Sequence, residues 1–258
     1  TVSADITEDA ARARGYIRGK LKKEEVFKLL KRVTTPTTIY KKQKLDRDDI
    51  VDITDLDVVA WMKGEMRGML NEEIGRSVLV GVGRDSSSED KINEDNVRPI
   101  WTDAELYTKR VQVESTTTDE ELVKTIVRSL DDYEGTGTPT LYTTRSVITN
   151  LLLLEDKMGR RLYNTRSELA DALGVSEIVD VPVMKGLHRT DSVAGEVNLI
   201  GIIVNIKDYS IGADKGGAVN MFDDFDIDYN QYKYLLETRI SGALTKVHSA
   251  VAIERKRA

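Results

Sequence analysis

The chain has 258 residues, of which 40% are apolar and 32% are charged, and its formal net charge is −6. This composition is typical of a soluble globular protein with one large domain or two smaller ones. The chain contains no Cys and only two His. Disulfides, thiolate metal sites, Cys nucleophiles and multi-histidine metal centres are therefore excluded. No apolar run approaches the length of a membrane span, and we expect no signal peptide.

Charge is distributed unevenly along the chain. Residues 11 to 44 hold twelve Lys or Arg and two Glu, a net charge of +10, whereas residues 45 to 258 sum to −13. A basic arm therefore precedes an acidic body. Such an arm can contact nucleic acid, lie in solvent as a charged helix, or lie on the acidic body of another copy. The acidic body argues against tight nucleic-acid binding by the fold as a whole.

The first predicted elements belong to this arm and to the segment after it. An apolar cluster (Val26, Phe27, Leu29 and Leu30) predicts a helix over residues 24 to 31. The next segment is rich in Thr, Val and Ile, which favours extended chain. Pro36 indicates an edge strand or a protruding hairpin, because proline cannot donate a hydrogen bond to a sheet.

The longest predicted helix runs from Asp55 to about Val80, with Thr54 as its N-cap. Apolar residues recur on it at spacings of three and four: Val59, Met62, Met66, Met69 or Leu70, Ile74 and Val78. Three glycines (Gly64, Gly68 and Gly75) each weaken this helix by about 1 kcal/mol relative to Ala. They indicate either close packing or a bend.

The rest of the chain mixes helices and strands without regular alternation. Thr118 and Thr165 each begin a capping box, and Gly174 is placed to end the second of these helices. The region from Phe222 to Glu254 predicts long strands. This mixture predicts the α+β class.

One acidic stretch, DFDIDYNQYKYLLE at residues 224 to 237, nearly matches the calcium loop of an EF-hand. Its candidate ligands are Asp226, Asp228, Asn230 and Glu237. Gln231 stands where that loop needs Gly for a sharp turn. Apolar and acidic residues alternate with period two, which predicts a strand with one acidic face. We therefore predict no metal and no cofactor, and a calcium-binding or hydrolytic soluble protein is the weaker alternative.

Several segments follow one another in an order that is similar to a known family. They are TTPTTIYKKQKLDRDDIVDITDLDVVAWMKGEMRGMLNEEIGRSVLVGVGR, TTDEELVKTIVRSL, PTLYTTRSVITNLLLLEDKMGRRLY, VDVPVM and FDIDYNQYKYLLETRISGAL. In this order they resemble the major capsid proteins of tailed double-stranded DNA bacteriophages. That family has the Hong Kong 97-type capsid fold, which encapsulins and the floor of herpesvirus shells share.

The resemblance implies an α+β capsid fold and a division of the chain into five parts. The parts are an N-terminal arm (1–32), an extended β-hairpin loop (33–53), a peripheral domain with a long spine helix (54–118), an axial domain (119–221) and strands that return to the peripheral domain (222–258). The implied function is structural and not enzymatic: copies assemble as hexamers and pentamers of an icosahedral phage head that encloses double-stranded DNA. An encapsulin-like protein compartment is the alternative.

The resemblance also implies partners and a location. The partners are neighbouring capsid subunits, a portal, a scaffold or maturation protease, and packaged DNA held non-specifically, with no membrane. The location is the virion, assembled in the cytoplasm of the host bacterium. Many relatives lose an N-terminal scaffolding segment to a protease, and we expect such processing here. The intact mass of the particle protein tests it.

Some relatives crosslink their shells through isopeptide bonds. A loop lysine attacks an asparagine of a neighbour, and a glutamate seven residues after that asparagine accepts the proton. The resemblance implies Lys41, Lys42 and Lys44 as candidate nucleophiles, Asn230 as acceptor and Glu237 as base. The alternative is that Asn230 and Glu237 are structural and that the lysines form a solvated edge.

Overall fold

The computed structural model describes residues 2–5, 28–53, 57–81, 93–214 and 219–257. Helices and mixed sheets occur together, so the predicted α+β class is confirmed. No helix in this described part combines the length and the apolarity needed to cross a membrane. The chain divides into two units, residues 1–33 and residues 34–258.

In the first unit, strands β1 (Val2–Asp5) and β2 (Lys28–Lys31) pair antiparallel. The helix predicted over residues 24 to 31 is therefore wrong for its last four residues, and residues 24–27 lie outside the described ones. A short apolar cluster fits either a helix or a strand, and here a partner strand decides the outcome. Residues 11–27 of the basic arm also lie outside the described residues.

The second unit contains a sheet built around the long strand β11 (Gln231–Leu244). Strand β3 (Thr37–Asp46) pairs antiparallel with β11 along all ten of its residues and forms one edge. On the other side of β11 lie β9 (Tyr209–Ala213) and β10 (Asn220–Asp226). We call these four strands the peripheral sheet.

The segment at residues 33–53 contains an edge strand, which was one of our two alternatives, and not a protruding hairpin of its own. It consists of β3 followed by the short helix α1 (Arg47–Asp52). The edge position is the one that Pro36 favoured, since the proline stands directly before the strand. β11 offers a partner along residues 37–46, so residues 33–53 contain no second strand.

Helix α2 (Val58–Leu79) packs on one face of the peripheral sheet. Its N-cap is Asp57, whose carboxylate accepts a hydrogen bond of 2.9 Å from the Ala60 amide. The helix thus begins three residues after the predicted start, and the predicted cap, Thr54, lies outside the described residues. The predicted apolar stripe is buried at Met62, Met66, Leu70 and Val78. It contacts the sheet residues Ile39, Tyr234 and Leu236.

The second sheet has the strand order β4-β12-β8-β5-β6, with β7 paired to β8. Its strands are β4 (Thr108–Val113), β5 (Thr140–Thr143), β6 (Ile178–Asp180), β7 (His188–Asp191), β8 (Gly195–Val204) and β12 (Ala250–Lys256). A second hydrophobic core lies between this sheet and three helices, α3 (Asp119–Ser129), α4 (Arg145–Leu152) and α5 (Arg166–Leu173). The strands and the helices both supply its apolar side chains. Strands and helices that are far apart in sequence therefore share one hydrophobic cluster.

The predicted capping signals of this half are largely confirmed. Thr118 and Glu121 form both bonds of a capping box at the start of α3. Thr165 caps α5, although its acidic partner Glu168 accepts from the Asn164 amide instead of from the cap itself. Gly174 ends α5 in the left-handed conformation, with φ of 74°.

Candidate functional site

The acidic stretch at residues 224 to 237 forms a hairpin and not one strand. Strand β10 ends at Asp226, a turn occupies residues 227–230, and β11 begins at Gln231, which pairs with Asp226. Asn230 closes the turn with a positive φ of 52°, a conformation that Asn tolerates better than most residues. The single strand predicted for this stretch is therefore wrong at the turn, because the alternating pattern continues through it.

The near-match to a calcium loop is not supported by this geometry. Asp226 is paired with Lys233, which lowers the pKa of the aspartate through a hydrogen bond and its charge. Glu237 lies seven residues beyond Asn230, and at about 3.4 Å per residue the separation is far larger than one ion can bridge. Among the described residues, no group of three or more His, Asp or Glu side chains could hold a metal ion.

The tip of the hairpin is strongly exposed and partly apolar. Ile227 is 83% exposed and Tyr229 is 68% exposed. The Lys44 ammonium lies 5.8 Å from the centre of the Tyr229 ring, within the range of a cation–π contact. Strand β3 therefore contacts the hairpin tip through a lysine. Of the two apolar residues at the tip, Ile227 is the more exposed to solvent.

The candidate crosslinking residues all lie on or next to the peripheral sheet. Lys41, Lys42 and Lys44 stand on β3, and their partners on β11 are Leu236, Leu235 and Lys233. Glu237 is half-buried and faces Tyr40, next to Lys41 in the sheet. Asn230 is exposed in the turn, and its carbonyl oxygen accepts a hydrogen bond of 3.1 Å from the Arg47 amide.

Within one subunit these groups do not converge, since Asn230 and Glu237 lie at opposite ends of the paired region. A reaction would have to combine residues from different copies. The crosslink therefore stays a prediction.

The fold shows a charge pattern that sequence reasoning missed. The lysines of β3 and the aspartates of β10 (Asp223, Asp224 and Asp226) lie on opposite sides of β11. One edge of the peripheral sheet is thus basic and the other acidic. Both charge runs are visible in the sequence, but only the strand order places them on opposite edges of one sheet.

The second sheet holds a buried ionic network that sequence reasoning also missed. Glu254 is fully buried, at a point where the pairing of β12 with β8 shifts register. Arg189 donates to both of its carboxylate oxygens, at 2.6 and 2.8 Å. Trp101 Nε1 donates at 2.7 Å and Gln112 Nε2 at 3.2 Å. This carboxylate joins β12, β7, β4 and the segment before β4, which is a structural role.

Asp191 extends the network towards the surface. Its carboxylate accepts hydrogen bonds from the Val193 and Ala194 amides and from Arg189. These bonds, the amides first, lower the pKa of Asp191 to about 2. The Arg189 pKa is raised, chiefly by its hydrogen bond to Glu254.

The fold is similar to solved capsid and virus-like particle structures. A chain of the capsid of the native GTA particle, computed with C5 symmetry, matches with a TM-score of 0.68 and 9% identity over 96% of this chain and 82% of that one. A chain from Mycobacterium phage Ogopogo matches with a TM-score of 0.64 and 13% identity over 94% and 83%. A virus-like particle from Pyrococcus furiosus matches with a TM-score of 0.57 and 13% identity over 90% and 83%.

No protein-family model and no curated protein matches the sequence. The structural likeness nevertheless extends over nearly the whole chain and not over one substructure. The fold that the order of sequence segments implied is therefore confirmed: this chain has the fold of phage major capsid proteins.

Proposed function

We propose that this protein is a structural subunit that assembles into hexamers and pentamers of an icosahedral phage head enclosing double-stranded DNA. One observation carries the proposal: 96% of the chain matches a chain of an assembled capsid, with a TM-score of 0.68. A likeness of this extent includes the peripheral sheet, the second sheet and the long helix α2. The proposed activity is shell formation and not catalysis.

Features of the subunit itself support a shell role. The basic run at residues 11 to 44 and the acidic remainder are complementary between copies. Exposed apolar groups, including Trp61 at 57% and Ile227 at 83%, are of the kind that neighbours cover in an assembly. A net-acidic shell protein would also limit non-specific adhesion of packaged DNA to the wall.

The proposal includes the division of the chain given above, with β3 from the part at 33–53 and β11 from the part at 222–258 in one sheet. Because β3 and β11 pair, these two strands and helix α2 form the peripheral domain together, whereas β12, at the end of the last part, lies in the second sheet. Residues 1–32 are proposed as the arm that contacts neighbours, and residues 119–221 as the axial domain. The proposed partners are other subunits, a portal, a scaffold or maturation protease, and DNA. The proposed site of assembly is the cytoplasm of the host bacterium.

Negative-stain electron microscopy of the purified protein, with a measurement of particle mass, tests this function. We expect uniform closed shells or discrete hexamers and pentamers. A monomer that persists at all protein concentrations, at all salt concentrations and with an N-terminal extension would contradict the proposal.

An encapsulin-like compartment is the second candidate, and the likeness to the virus-like particle from Pyrococcus furiosus favours it. Both candidates predict shells, so the content of native particles decides between them. Nuclease-protected double-stranded DNA inside the particle supports the phage head. Protein cargo without DNA supports the compartment.

A further inference from the structure

The peripheral sheet has two edges of opposite charge. β3 carries Lys41, Lys42 and Lys44, and β10 carries Asp223, Asp224 and Asp226. Each of these strands pairs with β11 only, so each presents one edge that has no strand partner in the described part of the chain. Exposed edges of this kind are where a second chain can add.

Some of these charged side chains already have a partner inside the subunit. Asp226 forms an ion pair with Lys233, and Lys44 lies against the Tyr229 ring. Asp46, the last residue of β3, accepts a hydrogen bond from the Asp48 amide at the start of α1. The other charged residues of the two edges are Lys41, Lys42, Asp223 and Asp224. Asp224 lies opposite Lys233 and attracts it, but none of these four residues forms a direct ion pair with another residue that the structure describes. Two cations on one edge and two anions on the other therefore have no direct ion pair in the described part of the subunit and can bind a partner.

Lys44 attracts Asp226 across β11, but no direct ion pair joins the two edges within one chain in the described part of the structure. They lie on either side of β11, separated by about 10 Å at the usual strand spacing, and they face in opposite directions. Lysines alone on both edges would keep copies apart, which is how many sheet proteins avoid association. Opposite signs on opposite edges instead attract a second copy in one relative orientation.

We infer that the basic β3 edge of one copy binds the acidic β10 edge of the next copy. This contact is heterologous, because two different surfaces meet. Repeated contacts of this type form a ring when the rotation between copies closes, as the proposed hexamers and pentamers require. The inference rests on the proposed shell function and adds to it the residues that join neighbouring subunits.

Charge reversal in the full-length chain tests the contact. One variant carries Lys41→Glu and Lys42→Glu, and a second carries Asp223→Lys and Asp224→Lys. Each variant places like charges at the contact, so we expect the critical concentration for assembly to rise by about tenfold or more at low salt. A third variant carries all four substitutions and has complementary edges again. Its critical concentration should return to within about threefold of the parent value.

Mixing the first two variants gives a sharper result. One then has two acidic edges and the other has two basic edges, so each contact is complementary only when the two variants alternate. An alternating ring needs an even number of copies. We expect the mixture to form hexamers, seen by native mass spectrometry, and no pentamers.

Matched controls separate the contact from changes in net charge. Lys124→Glu with Arg128→Glu, and Asp131→Lys with Asp132→Lys, alter the same charges at exposed positions outside the peripheral sheet. These controls should assemble like the parent, and circular dichroism checks that every variant is folded. Equal loss in the controls, or no recovery in the four-residue variant, would overturn the inference. If the parent itself never assembles, the proposed function fails instead.

Discussion

At the scale of single residues, the most constrained group is the Glu254 carboxylate. It is fully buried, and Arg189, Trp101 and Gln112 together satisfy both of its oxygens. A buried charge with a complete set of donors holds its surroundings in one arrangement, and removing one partner leaves the other uncompensated. The Arg189 side chain is itself only 20% exposed, so water cannot replace the lost anion well.

The substitution Glu254→Gln should therefore lower the free energy of unfolding of the subunit by about 3 kcal/mol. Urea unfolding of the unassembled protein measures the change. Glu196→Gln is the matched control: its partner Arg257 lies at 2.9 Å, but both side chains are more than half exposed. The control should lose less than about 1 kcal/mol. Equal losses in the two variants would contradict a dominant role for the buried network.

Asp191 gives a prediction about pH. Its pKa in the folded state is about 2, below the ordinary value of 3.8, because the amides of Val193 and Ala194 and the Arg189 guanidinium stabilise the charged form. The unfolded chain therefore takes up the proton first as the pH falls. The stabilisation from Asp191 is fully present above about pH 4 and is lost as the pH falls towards about 2.

The parent should consequently be more stable than Asp191→Asn at pH 7, and the difference should shrink between about pH 4 and pH 2. Denaturant unfolding at a series of pH values measures both curves. A difference that stays constant down to pH 2 would show that the side chain acts through shape and not through charge.

The crosslink implied by the family resemblance is also tested at single residues. If shells crosslink through Asn230, mature particles give a covalent ladder on a denaturing gel, and Asn230→Ala removes it while particles still form. Replacing Lys41, Lys42 and Lys44 by Arg one at a time identifies the nucleophile, because Arg keeps the charge but does not attack. A clean monomer band from mature parent particles rules the crosslink out.

At the scale of elements, helix α2 contains glycines that do not pack against any other described part of the subunit. Gly64, Gly68 and Gly75 are exposed, and a Cβ built on any of them meets no atom within 4 Å outside the local helix backbone. The close packing that we considered for them is therefore absent within the described part of one subunit. What remains at these positions is the helix propensity of glycine, which is poor.

Gly68→Ala should accordingly raise the free energy of unfolding of the unassembled subunit by about 1 kcal/mol. Gly81→Ala is the control with the opposite sign. Gly81 has a φ of 81°, and a Cβ there would lie 2.8 Å from Glu94 Oε1 and 2.9 Å from Pro99. Urea unfolding should show stabilisation in the first variant and destabilisation in the second. Destabilisation by Gly68→Ala would indicate a packing role that the subunit structure does not reveal.

The elements also show what the sequence could and could not predict. Helix ends with a local chemical signal were predictable, as at Thr118 and Gly174, because a cap depends on residues within a few positions. The hairpin at residues 227–230 was not, since a period-two pattern is the same on both sides of a turn. The charged residues of β3 and β10 lie on opposite edges of one sheet because β11 lies between these strands. This placement was not predictable, since β11 is distant from β3 in the sequence.

At the scale of the whole molecule, the described hydrophobic cores lie entirely in the second unit. Among the residues whose burial the structure describes, the first core residue is Ile39, and the rest of both clusters follows it in the chain. The first unit, residues 1–33, includes nine basic residues between Ala11 and Arg32. Folding and assembly should therefore depend on different parts of the chain.

A chain lacking residues 1–33 should unfold cooperatively, with a free energy of unfolding within about 1 kcal/mol of the parent, because it retains both cores. The same chain should fail to form closed shells, because the basic segment that neighbours would bind is gone. Calorimetry and electron microscopy measure the two properties separately.

A full-length variant with the nine basic residues replaced by Gln keeps the length and removes the charge. If this variant also fails to close shells, the arm acts through its charge on the acidic surface of neighbouring copies. If it closes them normally, the arm acts through its backbone and apolar side chains, and the complementarity of arm and body does not drive assembly.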